Sequence, residues 1–128
     1  MLRIGIDLDN TITELPEFFA LLARALRAAG HQVHIVSYRD AKDLDKSRAE
    51  VRDLGVEFDE VHHPRGSEGI PEFKARMARE LKLDMLIDDM PEALINLPGH
   101  TKRMWLCDPE VYDLGAVIRS LGTQILKF

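Results

Sequence analysis

A doubly wound α/β fold, with about five parallel strands in one sheet and helices on both faces, is the class this chain predicts. Three observations predict it. Short apolar segments alternate five times with segments of helical periodicity. Glycine or proline punctuates most junctions between them. No repeat, low-complexity tract or Gly/Ser-rich linker divides the chain. With 128 residues, 45% of them hydrophobic and 30% charged, the chain suits a single three-layer, Rossmann-like domain over residues 1–128 and is short for two.

The elements follow in order. Leu2 to Ile6 is short and rich in branched apolar residues, then stops in Asp7-Leu8-Asp9-Asn10-Thr11, as a strand running into a loop would. From Pro16 to Ala29 the period is helical, with Phe18, Phe19, Leu22, Ala25, Leu26 and Ala29 on one stripe, Pro16 in the first turn and Gly30 as the stop. Gln32 to Ser37 reads as a second buried strand. Ala41 to Leu54 reads as a charged helix with Leu44, Val51 and Leu54 inward, closed by Gly55. Phe58 to His62 is a weaker third strand, with His62 and His63 expected as a solvent-facing turn pair. After a Pro/Gly-containing loop, a helix is expected from Pro71 to Lys82, with Phe73, Met77 and Leu81 inward. Glu72 with Arg76, and Arg76 with Glu80, are i,i+4 pairs on its wet side. Asp84 to Ile87 is a fourth strand, and Pro91 opens a short helix. Lys102 to Cys107 is a fifth strand, with Trp105 and Cys107 in the core. Asp108-Pro109 starts a last helix with Val111, Leu114, Val117, Ile118 and Leu121 inward and Gly122 as its end.

Bulk charge excludes more than it selects. A formal charge of −5 argues against a chain built mainly to grip nucleic acid or an anionic membrane, both of which need clustered positive charge. The longest apolar run, Phe18 to Ala23, is six residues, against the roughly 20 that span a bilayer. A strand starting at Leu2 leaves no room for a secretory leader, and a single cysteine, Cys107, allows no internal disulfide. A reducing cytoplasm is therefore the expected setting. Oligomeric state is not legible.

In a doubly wound sheet, ligands bind where strands hand over to helices at their carboxyl ends. Acid is concentrated there: Asp7 and Asp9 close the first strand, and Asp88 and Asp89 close the fourth. Two unit charges about 4 Å apart at an effective dielectric near 20 repel by roughly 4 kcal/mol, so such a cluster calls for a cation or for protons. Oxygen ligands without a nearby Cys or His favour Mg²⁺. The plainer alternative is that each acid only caps a helix or decorates a loop, and Asp89, just before Pro91, suits that role. Lys74 falls in the first turn of its helix, where the dipole disfavours a cation. It is either a solvated lysine or an ammonium that balances the acids and holds an anionic ligand. Ser37, ending the second strand, either starts a turn or offers its hydroxyl to a phosphate oxygen. Arg39 either holds a second anionic group or pairs on the surface with Asp40 or Asp43.

Taken in order, Asp7-Leu8-Asp9-Asn10-Thr11, Ser37, Lys74 and Asp88-Asp89 resemble the four motifs of the haloacid dehalogenase (HAD) superfamily of phosphohydrolases, over roughly residues 2 to 92. The resemblance implies a Mg²⁺-dependent phosphatase acting on a phosphomonoester, small or macromolecule-linked. Asp7 would be the nucleophile that carries an aspartyl-phosphate, and Asp9 the general acid and base. Asp7, the Asp9 backbone carbonyl and Asp88, helped by Asp89, would ligate the metal. Ser37 and Lys74, with Arg39 as a further candidate, would hold the phosphate. Asn10 stands where glycine is commoner in that family, and the spacings leave no room for an inserted cap domain, so an open site is expected. The phrases around Asp88 and Asp108 faintly resemble the 5′-nucleotidase branch. Other readings are a signalling phosphate-acceptor similar to a receiver domain, a Toprim-like module, or a phosphate-binding scaffold that does not turn over. A receiver would place its acceptor aspartate after the third strand, where this chain has His62-His63. A Toprim-like module would need an earlier glutamate and a basic surface.

Overall fold

Among the described residues, five parallel strands form one sheet in the order β3-β2-β1-β4-β5: β1 (Arg3–Ile6), β2 (Gln32–Val36), β3 (Glu60–His62), β4 (Met85–Asp88) and β5 (Lys102–Trp105). The computed structural model describes residues 1–111, 113, 115, 116 and 119. Helices α1 (Pro16–Ala28) and α2 (Leu44–Asp53) pack on one face and α3 (Ile70–Glu80) on the other. This is the three-layer α/β architecture the sequence predicts. The inward positions Leu114, Val117, Ile118 and Leu121 of the expected last helix, and its stop Gly122, lie outside the described residues.

Two apolar cores, one on each face, hold the layers together. Ile4, Ile6, Val33 and Ile35 of the sheet meet Phe19 and Ala23 of α1 and Val51 of α2. On the opposite face Val36 and Leu86 meet Phe73, Met77 and Ala78 of α3 and Leu94 of the short 3₁₀ turn Pro91–Leu94. Gly5, in the central strand, is required by close packing: a Cβ there would lie 2.7 Å from Leu83 Cδ1 and 2.9 Å from Leu86 Cδ1. Gly30, at φ 88°, lets the chain leave α1 through a left-handed residue, after which the His31 N–H bonds the Leu26 carbonyl.

Several element-level expectations are corrected. In α1 the buried residues are Phe19 and Ala23, whereas Phe18 is 54% exposed and Ala25 and Ala29 face water. The expected helix from Ala41 is split, because Asp40 accepts a bond from the Lys42 N–H and closes a 3₁₀ turn before α2 begins. β5 ends at Trp105, and both Trp105 and Cys107 are half-buried rather than core, because among the described residues β5 is the edge of the sheet. Arg76 pairs with Glu80 as expected, but its second partner is Glu68, in the preceding loop, rather than Glu72.

Candidate functional site

Register brings the acids together. Ile6 pairs with Ile87 across β1 and β4, and with Ile35 across β1 and β2. Asp7 therefore emerges beside Asp88 on one side and beside the ends of Val36 and Ser37 on the other. This is the switch point of the sheet: α1 leaves β1 over one face and α3 reaches β4 over the opposite face, opening a crevice between the strand ends. One carboxylate oxygen from each of Asp7, Asp88 and Asp89 lies within 4.8 Å of the others, an arrangement able to hold a metal ion.

Lys74 is neither solvated nor open to a ligand. It is 1% exposed, and its Nζ lies 2.8 Å from Asp7 Oδ1 and 2.7 Å from Asp88 Oδ2 while donating to the Val36 carbonyl at 2.6 Å. Its helix starts at Ile70, so the lysine stem passes through the core of the α3 face and delivers the ammonium to the strand ends. Burial alone would push the ammonium's pKa down, but Asp7 and Asp88 override it and hold it above the ordinary lysine range. Burial pushes Asp88 up. Three carboxylates against one buried ammonium leave negative charge uncompensated. Asp89 registers it: burial, a hydrogen bond with Asp7 and the charges of Asp7 and Asp88 raise its carboxyl to about 7. All-oxygen donors with surplus negative charge fit Mg²⁺.

The turn after β1 supplies the next layer. Asn10 sits at φ 60°, the left-handed region that asparagine tolerates, which accounts for its place where glycine would be ordinary. The Thr11 hydroxyl, four residues after Asp7, lies 3.2 Å from both Asp7 Oδ2 and Asp89 Oδ1 and bridges the two strand ends. Thr11 was legible as part of the Asp-x-Asp-x-Thr spacing, but its bridging role was not. Asp89 does not cap the turn at Pro91. Asp88 accepts the Met90 N–H instead, while the Trp105 indole N–H donates to the Asp89 carbonyl. The Ser37 hydroxyl is fully buried beside this cluster and has no hydrogen-bond partner among the described residues. A cleft of about 590 Å³ opens next to Asp89, with Asn10, Glu14, Met90 and Leu106 among its walls.

Asp9 and Arg39 form a second arrangement at the mouth of the crevice. Arg39 Nε and Nη2 donate to the two oxygens of Asp9 at 2.9 and 2.7 Å, and Nη1 donates to Glu50 Oε2 at 2.6 Å and to Ser47 Oγ at 3.1 Å. The Asp40 and Asp43 partners expected for Arg39 are thus replaced by Asp9 and Glu50. The guanidinium holds the Asp9 carboxyl below the usual carboxylate range, so Asp9 is an ionised acceptor rather than a proton donor. His62 and His63 are not a solvent-facing pair. His62 Nε2 lies 3.0 Å from His34 Nδ1, and His63 bridges the Asp40 carbonyl and the Ser47 hydroxyl. Asp7, Lys74, Ser37 and Asp88 are all buried at the base of the crevice.

No protein-family model matches the chain, and no curated protein matches it. Among solved structures it is similar to a universal stress protein from Archaeoglobus fulgidus, 15% identical, with a TM-score of 0.52 over 80% of this chain and 93% of that one. It is also similar to a universal stress protein in complex with cAMP, 10% identical, with a TM-score of 0.50 over 81% of this chain and 96% of that one. At these identities the likeness shows the fold. The neighbours are universal stress proteins and not HAD phosphohydrolases, which overturns the expected family. With it go the expected capless phosphatase, the aspartyl-phosphate on Asp7 and the 5′-nucleotidase-like branch. The physical reason is that any doubly wound sheet delivers its strand-end residues to one edge. Acids and a lysine in that order are therefore compatible with the fold without selecting one chemistry on it.

Proposed function

We propose that the chain is a non-catalytic, signalling-type domain that binds a small phosphorylated ligand of the nucleotide class at the carboxyl edge of its sheet, in the cytoplasm. The buried Asp7–Lys74–Asp88 cluster at the switch point carries this reading. Its surplus negative charge supports a divalent cation on Asp7, Asp88 and Asp89, and the cation would in turn attract the ligand's phosphate. The buried Ser37 hydroxyl has no partner among the described residues, which supports a role as a donor to a phosphate oxygen once the crevice accommodates one. The adjoining cleft lies in the size range of small-molecule sites. A neighbour of the same fold was solved with cAMP, which supports nucleotides as the first class to try. None of the described helices is long and apolar enough to cross a membrane.

The test is calorimetric titration of the purified protein with ATP, AMP and cAMP, with and without Mg²⁺. Saturable one-to-one binding that Asp88→Asn weakens supports the reading. Absence of binding to all three overturns it, and so does stoichiometric release of inorganic phosphate that disappears in Asp7→Asn.

A further inference from the structure

The bidentate Arg39–Asp9 pair is half exposed at the crevice mouth, yet its guanidinium is anchored from behind. Asp9's side chain is 52% exposed and Arg39's 21%. Glu50 and Ser47 of α2 hold Nη1, and His63 holds Ser47 in place. Asp9 instead belongs to the turn after β1, whose backbone departs from helical angles at Asp9 and Asn10. One partner is therefore tied to a helix and the other hangs on an irregular turn. Lys74 adds positive potential at the same Asp9 carboxylate, so the carboxylate sits where the Arg39 and Lys74 charges both act.

From this juxtaposition we infer that Asp9 is a built-in competitor for Arg39, and that a ligand phosphate displaces it. The inference rests on the phosphate-binding reading above. A phosphate accepts two parallel N–H bonds from a guanidinium in the same fork geometry as a carboxylate. Arg39 need not move for the exchange, since Glu50 and Ser47 retain Nη1 while Nε and Nη2 change partner. Ser37 lies close by, because the Arg39 N–H bonds the Ser37 carbonyl at 3.1 Å. Arg39 is thus a specificity-determining residue for an anionic group, with its selectivity set by how readily that group outcompetes one carboxylate. A neutral ligand leaves the clasp shut.

Inorganic phosphate with Mg²⁺ is the probe, titrated calorimetrically into wild type, Asp9→Asn, Asp9→Ala, Arg39→Ala and the Asp9→Asn/Arg39→Ala double variant. Removing the competitor should tighten phosphate binding about 1.5- to fivefold in both Asp9 variants, the scale of one exposed charge pair. Arg39→Ala should weaken it, and the double variant should show none of the tightening. In wild type, the ¹⁵N resonance of Arg39 Nε should shift on adding phosphate. If wild type binds phosphate and the Asp9 variants bind no tighter, or tighten without Arg39, the clasp is overturned while the site reading stands. If neither wild type nor any variant binds phosphate, the clasp falls, and the site reading is decided by the titrations with ATP, AMP and cAMP.

Discussion

Lys74 concentrates the energetics of the site in one residue. Removing one partner from a buried ion network leaves the others uncompensated, which costs about 3–5 kcal/mol. Lys74→Ala should therefore lower the unfolding free energy by that amount in urea melts at pH 7. The loss should shrink in acid, where Asp88, which burial pushes up, takes a proton. Two other residues make opposed contributions to the pH dependence. Burial, then the neighbouring His34, depresses His62 to about 4, so the unfolded chain binds the proton more readily and stability is lost as pH falls from about 6.5 toward 4. Asp89 is raised to about 7, so the folded chain binds the proton more readily and stability is lost as pH rises from about 4 toward 7. The two trends offset in wild type. Thermal melts between pH 4 and 7 should show stability rising with pH in Asp89→Asn and falling in His62→Gln, and parallel profiles would refute the assignment.

At the scale of the element, α1 separates what periodicity reveals from what it leaves open. A 3.6-residue repeat identifies a helix and a broad apolar stripe, but that stripe is wider than the face the sheet covers. Phe19 and Ala23 sit against β1 and β2, while Phe18 and Leu21 point away from that core. Phe19→Ala should cost about 3–5 kcal/mol by leaving a core cavity, whereas Phe18→Ser should stay within about 0.5 kcal/mol. Equal losses would mean the helix is rotated. In β1 the same reasoning runs through a missing atom. Gly5→Ala puts a methyl into the Leu83 and Leu86 side chains and should destabilise by about 1–3 kcal/mol, read as a lower denaturation midpoint at unchanged m-value. No local pattern around Gly5 announces this, because the clash comes from a segment some 80 residues later.

For the molecule as a whole, strand order decides what the local patterns can become. The sequence by itself determined the alternation of strands and helices, hence the parallel sheet, and it determined that Asp7, Asp9, Ser37, Asp88 and Asp89 would emerge at one edge, because parallel strands all end on the same side. Those are local properties of period, punctuation and residue type. The order β3-β2-β1-β4-β5 decided which strand ends are neighbours, and so decided that Asp7 meets Asp88 and Asp89 while Asp9 turns away to Arg39. It also buried Lys74 between two carboxylates, where position in the helix alone left a solvated surface residue equally reasonable. Ion pairs spanning 67 residues for Lys74 and Asp7, and 30 for Arg39 and Asp9, have no signature in spacing, since complementary charge is common and only packing selects the partner. The resemblance to a phosphatase family failed for the same reason: motif order follows the chain, whereas the chemistry of a site depends on which groups the tertiary fold leaves ionised, buried and paired.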